Sequence, residues 1–353
     1  MAANHDLEPI DPSTARELYL DHKATHYTEA TVQGHHYRTK HIVAWCDEND
    51  IDNLNDLTGR HLYEFRLWHM EEHDINQLSL RQHMCTLRVF LKWAASIEVV
   101  PPNLHHKVMV PQVGRDERQR DDMLEADEAR ELLGYLSKYH FASRRHAIVA
   151  LLWETGIRVG AANSIDLDDV YIDEGYVDLV HRPDRGTTLK NGRSGERPVA
   201  ITDGLAELLR EYIEHSRIEI IDDASRHPLI TSDQARLCRT SYRRIVYQTT
   251  APCFRGESCP DCVDSPDRKC PEAVSPHAIR SGSITHYLTE DVPTEVVSDR
   301  MNVSRDVLDQ HYDRRSEEVK LRQRRVIWRI SRTLSAEELY STIYHNPGAA
   351  YRG

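Results

Sequence analysis

The sequence predicts a mainly α-helical protein of two domains, with one small three-stranded antiparallel sheet in the second. Three observations predict it. A chain of 353 residues is longer than one compact core of usual size. Apolar residues recur at helical spacing along most of it, and strand signals are confined to one stretch between residues 176 and 201. Hydrophobic residues make up 39% and charged residues 29%, a balance that suits a soluble globular chain. There is no run of about eighteen apolar residues, and the opening "MAANHDLEPIDPS" lacks the basic-then-apolar order of an export signal. A cytoplasmic protein with no membrane partner is expected.

Residues 1–12 read as a tail and 13–110 as a bundle of about four helices. Thr14 and Glu17 have capping-box spacing, and Thr28 precedes a helical run ending near "WCDEND". Thr58 offers a cap for a helix with Leu62, Phe65 and Met70 on one face. A fourth run repeats apolar residues at Leu80, Met84, Leu87, Leu91 and Ala94, until "PPN" at 101–103 stops it. The polar, proline-bounded stretch 111–122, "PQVGRDERQRDD", reads as a linker.

The second domain, 123–335, opens with the amphipathic "LEADEARELLGYL", then a buried helix, a Thr-Gly-Ile-Arg turn and a short helix. The strands expected are "YVDLV" (176–180), "TTLK" (187–190) and "ERPVAI" (196–201), with Asn191-Gly192 as a hairpin turn. Helices resume at "GLAELLREYIEH", and a last one runs from about Ser316 to Leu334. Residues 336–353 read as a loose tail.

The net charge of −12 argues on its face against a polyanionic partner. The average conceals a bias: 8 of the 45 basic residues are lysines, leaving 37 arginines, whose planar fork holds phosphate oxygens bidentately. Genome base composition produces the same bias. An acidic chain that prefers arginine to lysine also fits a high-salt cytosol, such as that of a halophilic archaeon.

Cleaving a phosphodiester without a metal requires a nucleophile, cations for the non-bridging oxygens, a proton for the leaving oxygen and a group to handle the nucleophile's proton. The second domain holds residue types for each. Arg158 lies in "TGIRVG", just after a turn, where it can project from a helix start. Lys190 closes the expected strand before the Asn-Gly turn and is the only lysine between Lys138 and Lys269. In "SPHAIRSGSITHYL", His277 and Arg280 are three apart and share a helical face. Pro276 suits the first turn and so puts His277 near a helix N-terminus, which favours an anion. Tyr312, in "DQHYDRRS", follows Arg280 by 32 residues.

This order of Arg158, Lys190, His277-x-x-Arg280 and Tyr312 resembles the tyrosine recombinases, or phage integrases, and among them the Xer-like and archaeal integrases. The resemblance covers nearly the whole chain. It implies a helical, SAM-like core-binding domain, a linker, and a catalytic domain of the DNA breaking-rejoining fold. It also implies site-specific cleavage and rejoining of double-stranded DNA through a 3′-phosphotyrosine, by a homo-tetramer assembled on DNA from free monomers or dimers. Tyr312 would be the nucleophile, Arg158 and Arg280 the phosphate clamp, Lys190 the general acid and His277 an aid to proton transfer, with no cofactor required.

Two positions depart from the family pattern. Where a Gly-His or Gly-Trp pair is usual, this chain has Met301-Asn302, so Asn302 is read as standing in; its amide donates a hydrogen bond but cannot shuttle protons. The acidic residue common three after the first arginine is Ala161, and Ser281 stands where histidine is frequent. These departures keep open a catalytically silent DNA-binding or architectural protein on the same fold. A type IB topoisomerase, which shares the chemistry, is a third reading. Separately, Cys253, Cys259, Cys262 and Cys270 form a C-x5-C-x2-C-x7-C insertion ending seven residues before His277. Such clustering in a chain without an export signal points to a structural zinc ion sooner than to disulfides, with unligated thiols as the alternative.

Overall fold

Short polar side chains set the helix starts of the first unit. Helix α1, Pro12–Ala24, begins at Asp11, whose carboxylate accepts the Thr14 N–H at 2.9 Å, with Pro12 in the first turn. The Thr14–Glu17 spacing therefore does not start this helix: an Asp-Pro pair just ahead supplies the cap and leaves Thr14 inside. Thr28 precedes α2, Glu29–Glu48, and Thr58 closes a capping box with His61 at the start of α3, Gly59–His73. Asn76 caps α4, Gln77–Ser96. These helices enclose a core of Tyr19, Ile42, Trp45, Phe65, Met84 and Phe90, among others. Along α3 the buried residues are Leu62, Phe65 and His69, while Met70 is only half-buried. The step from 62 to 69 closes two turns, so the buried stripe runs through a histidine that hydrophobic pattern alone passes over.

The computed structural model describes residues 7–114, 122–259 and 270–333. The chain divides into two compact units, Met1–Arg120 and Asp121–Gly353. Most of the expected linker, Cys262 and the tail 336–353 lie outside the described residues.

In the second unit, α5 (Ala126–Tyr139) is followed by α6 (Arg144–Thr155), α7 (Val159–Ser164) and a sheet of strand order β1-β2-β3. All neighbours are antiparallel: β1 is Val170–Tyr171, β2 Tyr176–Leu179 and β3 Arg197–Ala200, with Val170 opposite Val177 and Val177 opposite Val199. Residues 187–190 do not form the expected strand. A left-handed Gly186 turns the chain so that Arg182 meets Thr187 in an isolated bridge, and the Leu189 N–H goes to His181 Nδ1 at 3.1 Å. The outer strand is Val170–Tyr171 instead. Lys190 thus sits on a turn in the long β2–β3 connection, just before a 3-10 turn at Gly192–Gly195.

The remaining helices are α8 (Asp203–Glu211), α9 (Arg239–Thr250), α10 (Pro276–Thr289), α11 (Thr294–Met301), α12 (Arg305–His311) and α13 (Glu317–Thr333). Helix α6 is central: its residues 146–152 are all buried, and α5, α8, α9 and α10 pack on it. Helix α10 approaches closely because Gly282 has no side chain; a Cβ there would overlap the Leu124 carbonyl. Beneath the sheet, buried Asp166 pairs with Arg226 and Arg236, and Asp169 with Arg182, which ties the start of β1 to the segment 222–236. No helix among the described residues is long and apolar enough to cross a membrane.

Candidate active site

An α-helix ends in carbonyl oxygens without intrahelical partners. At the end of α11 three arginines take them up. Arg197 Nε donates to the Arg300 carbonyl at 2.7 Å, Arg280 Nη2 to the Met301 carbonyl at 2.9 Å, and Arg158 Nη1 to the Asn302 carbonyl at 3.1 Å. Cations at this end also meet the negative pole of the helix dipole. Each arginine arrives from a different element: Arg197 opens β3, Arg280 lies on α10, and Arg158 is the residue just before α7. Arg280 is further held by its Nη1, which donates to the Gly156 carbonyl at 2.6 Å. Gly156 has φ +59°, and a Cβ there would press on the Met301 side chain, so the "TGIRVG" turn needs glycine for two reasons.

The arginines press on one another electrostatically. Burial, and then the neighbouring Arg158 cation, push Arg280 down to about 10, with Tyr312 opposing. Arg197 is pushed down to about 10 by burial and then by Arg280 and Arg158. Arg280 and Arg197 remain cations at neutral pH, and the cluster favours an anion. The Arg280 Nε is buried with no hydrogen-bond partner, a donor still to be satisfied.

A cleft of about 630 Å³ opens here, lined by Arg158, Lys190, Asn191, Arg197 and Asn302, among others. Lys190 is exposed, and its neighbour Asn191 donates from Nδ2 to Asn302 Oδ1 at 3.0 Å, tethering the lysine's turn to the end of α11. Asn302 has φ +47°, a left-handed cap that asparagine tolerates better than most residues.

Tyr312 follows α12. The Arg280 guanidinium carbon stands 5.6 Å from its ring centroid, and the ring of His277, exposed in the first turn of α10, lies 5.7 Å away. Thr285 Oγ1 donates to the Tyr312 carbonyl at 2.8 Å. The tyrosine is only 6% exposed, packed with Ile284, Met301, Val303 and Leu308, and it is not among the lining residues of the cleft. Arg158, Lys190 and Asn302 therefore share one wall, while His277, Arg280 and Tyr312 form an adjoining group joined to it through the end of α11.

Arg197 and Asn191 belong to this constellation although the sequence did not single them out. Arg197 is one of 37 arginines and lies in a stretch whose pattern signals only a strand; Asn191 signals only a turn. At the departing positions the side chains are small: Ala161 packs against the core and Ser281 is buried. In the cysteine insertion, Cys259 and Cys270 are buried with Sγ atoms 3.6 Å apart, too far for the S–S bond of about 2.05 Å. Cys253 is exposed, and Cys262 lies outside the described residues.

The phage integrase family model matches residues 122–318, more than half of the chain. The chain belongs to this family, the tyrosine recombinases. It is 21% identical over 239 residues to the tyrosine recombinase XerD of Oceanobacillus iheyensis, covering 67% of this chain and 70% of that one. With the tyrosine recombinase XerC of Corynebacterium efficiens it shares 23% identity over 264 residues, 74% and 73% of the two chains. In fold it resembles a lambda integrase dimer bound to a COC′ core site, with TM-score 0.63 and 16% identity over 88% of this chain and 79% of that one. The Tn1549 transposon integrase in complex with a circular intermediate DNA gives TM-score 0.64 and 12% identity over 90% and 99%.

Proposed function

We propose that this protein is a site-specific DNA recombinase that cleaves and rejoins double-stranded DNA through a 3′-phosphotyrosine at Tyr312. The observation that carries this reading is that Arg158 and Arg280 hold consecutive carbonyls at the end of α11, one lining the Lys190 cleft and the other against the Tyr312 ring. A phosphate placed there meets two guanidinium groups and the unpartnered Arg280 N–H, which offset charge gathering on its non-bridging oxygens. The Tyr312 phenol attacks phosphorus, its proton passing toward His277, and the Lys190 ammonium protonates the departing 5′-oxygen. A 5′-hydroxyl from a partner strand then reverses the step. Since Tyr312 is nearly buried, the α12 segment has to yield for its oxygen to reach the phosphate.

Asn302 fills a positioning role in this scheme. A left-handed backbone is where the glycine of a Gly-His pair belongs, and that backbone occurs at Asn302, not at helical Met301. On this register the partner of the glycine is Val303, a buried apolar residue. Asn302 then holds Arg158 through its carbonyl and the Lys190 turn through its amide, and contacts no reacting atom. Val303 and Ala161 favour the second reading, a DNA-binding protein of the same fold without cleavage.

The expected partners are double-stranded DNA and further copies of the chain, as a tetramer on DNA and a monomer or dimer free of it, acting in the cytoplasm. Catalysis needs no cofactor in this scheme. For the cysteine insertion we propose a structural zinc: two thiolates on one tetrahedral zinc at about 2.3 Å stand roughly 3.8 Å apart, close to the Cys259–Cys270 separation of 3.6 Å. Cys253 and Cys262 would complete the set.

Incubation with nicked suicide substrates carrying the cognate site tests the function. A covalent protein–DNA adduct that Tyr312→Phe abolishes is expected. Site binding without any adduct supports the silent reading, and relaxation of plasmids lacking the site makes the protein a topoisomerase.

A further inference from the structure

The first unit contains a second cluster of chemistry-bearing side chains, independent of the recombinase reading. His41 on α2 and His69 and His73 on α3 each bring a ring nitrogen to within 4.8 Å of the others'. The ring centroids of His41 stand 4.7 Å from His69 and 4.6 Å from His73. His69 and His73 are four apart on one helix, the spacing that puts two imidazoles on the same face. His69 is fully buried and His41 is 8% exposed, yet His69 Nδ1 and His41 Nε2 have no hydrogen-bond partner. Buried polar atoms of this kind are rare and expensive. The other nitrogen of His69, Nε2, is bonded at 2.7 Å to Nδ1 of His83 on α4. That is the arrangement by which an outer group fixes the ring of a metal-ligating histidine and leaves its second nitrogen to the metal. His73 is exposed, which gives an entry route.

We propose that the first unit holds a divalent transition-metal ion of the zinc class, bound by His41, His69 and His73, with His83 orienting His69. The buried surroundings of His41 and His69 favour uncharged imidazoles, the form that ligates. Imidazole donors suit zinc, cobalt, nickel and copper and disfavour calcium or magnesium. Zinc–nitrogen bonds of about 2.0–2.1 Å require the nitrogens to draw together by up to roughly 1.5 Å, within reach of side-chain rotation. Three ligands leave a fourth position for water on the His73 side. The ion would clamp α2 to α3, and with them the fold of this unit.

The experiment uses the full chain, stripped with chelator and titrated with zinc or cobalt. Bound metal is counted by mass spectrometry, melting temperature is recorded, and the cobalt spectrum separates the two candidate sites. Thiolate ligands give a near-ultraviolet charge-transfer band that imidazoles lack. The wild type is expected to take up one equivalent without that band and to melt at a higher temperature for it. His73→Gln, at an exposed position, should keep the fold and lose this equivalent. His83→Ala should weaken binding by about 10–100-fold without abolishing it. Metal uptake confined to the thiolate-type spectrum, or equal stoichiometry and equal thermal gain in His73→Gln, would overturn the proposal.

Discussion

In the proposed mechanism Arg280 can act as a clamp because it is inside. A guanidinium 2% exposed, with one hand on Gly156 and the other on Met301, cannot swing away when a phosphate arrives. Lysine has the charge but not the fork, so Arg280→Lys should leave buried carbonyls unpaired, lower stability by about 2 kcal/mol and cut adduct formation at least tenfold. Thermal melts and single-turnover cleavage check both. A different buried group is predicted to make the second unit sensitive to acid. His146 on α6 is pushed down to about 4 by burial, and its Nδ1 has no partner. The unfolded chain, with a histidine near 6.5, binds the proton first. Its contribution is therefore intact above about pH 6.5 and lost as pH falls toward 4, on the order of 2 kcal/mol. His146→Leu should flatten the fall in melting temperature across that window; an unchanged slope would show that another group titrates.

At the scale of elements, the end of α11 organises the site. Asn302→Gly keeps the left-handed cap but removes the link to Asn191, so stability should hold while adduct formation drops several-fold. Asn302→Ala should drop similarly and also lose about 1 kcal/mol, because a side chain with a Cβ and no local hydrogen bond resists positive φ. Equal stability of the two variants would argue against this account of the cap. Helices were the elements most legible in the sequence, since Thr28, Thr58 and Pro276 stand where they start. The sequence misleads at 187–190 because its threonines favour β structure while Gly186 turns the chain and His181 takes the Leu189 N–H. The site was legible as an ordered set of residue types. Arg197 was not, because nothing local distinguishes one arginine among 37.

For the whole molecule, the framework that holds the sheet is ionic as well as apolar. Asp166 lies between Arg226 and Arg236, all buried or nearly so. Arg226→Ala would remove one of the cations on Asp166 and leave the Arg185 and Ser164 carbonyls without their donor, and should cost about 3–5 kcal/mol, measured by denaturant unfolding. The first unit offers no such network among its described residues.

On the proposed mechanism, side chains from the turn before α7, the β2–β3 connection, α10 and the segment after α12 converge on one phosphodiester, each with a separate task. A DNA substrate whose bridging 5′-oxygen is replaced by sulfur tests it, because a thiolate leaves without needing a proton. Lys190→Ala is predicted to cleave this substrate at close to the wild-type rate, while Arg158→Ala, Arg280→Ala and Tyr312→Phe stay inactive. A Lys190→Ala protein as slow on sulfur as on oxygen, or a Tyr312→Phe protein that still cleaves, would contradict it.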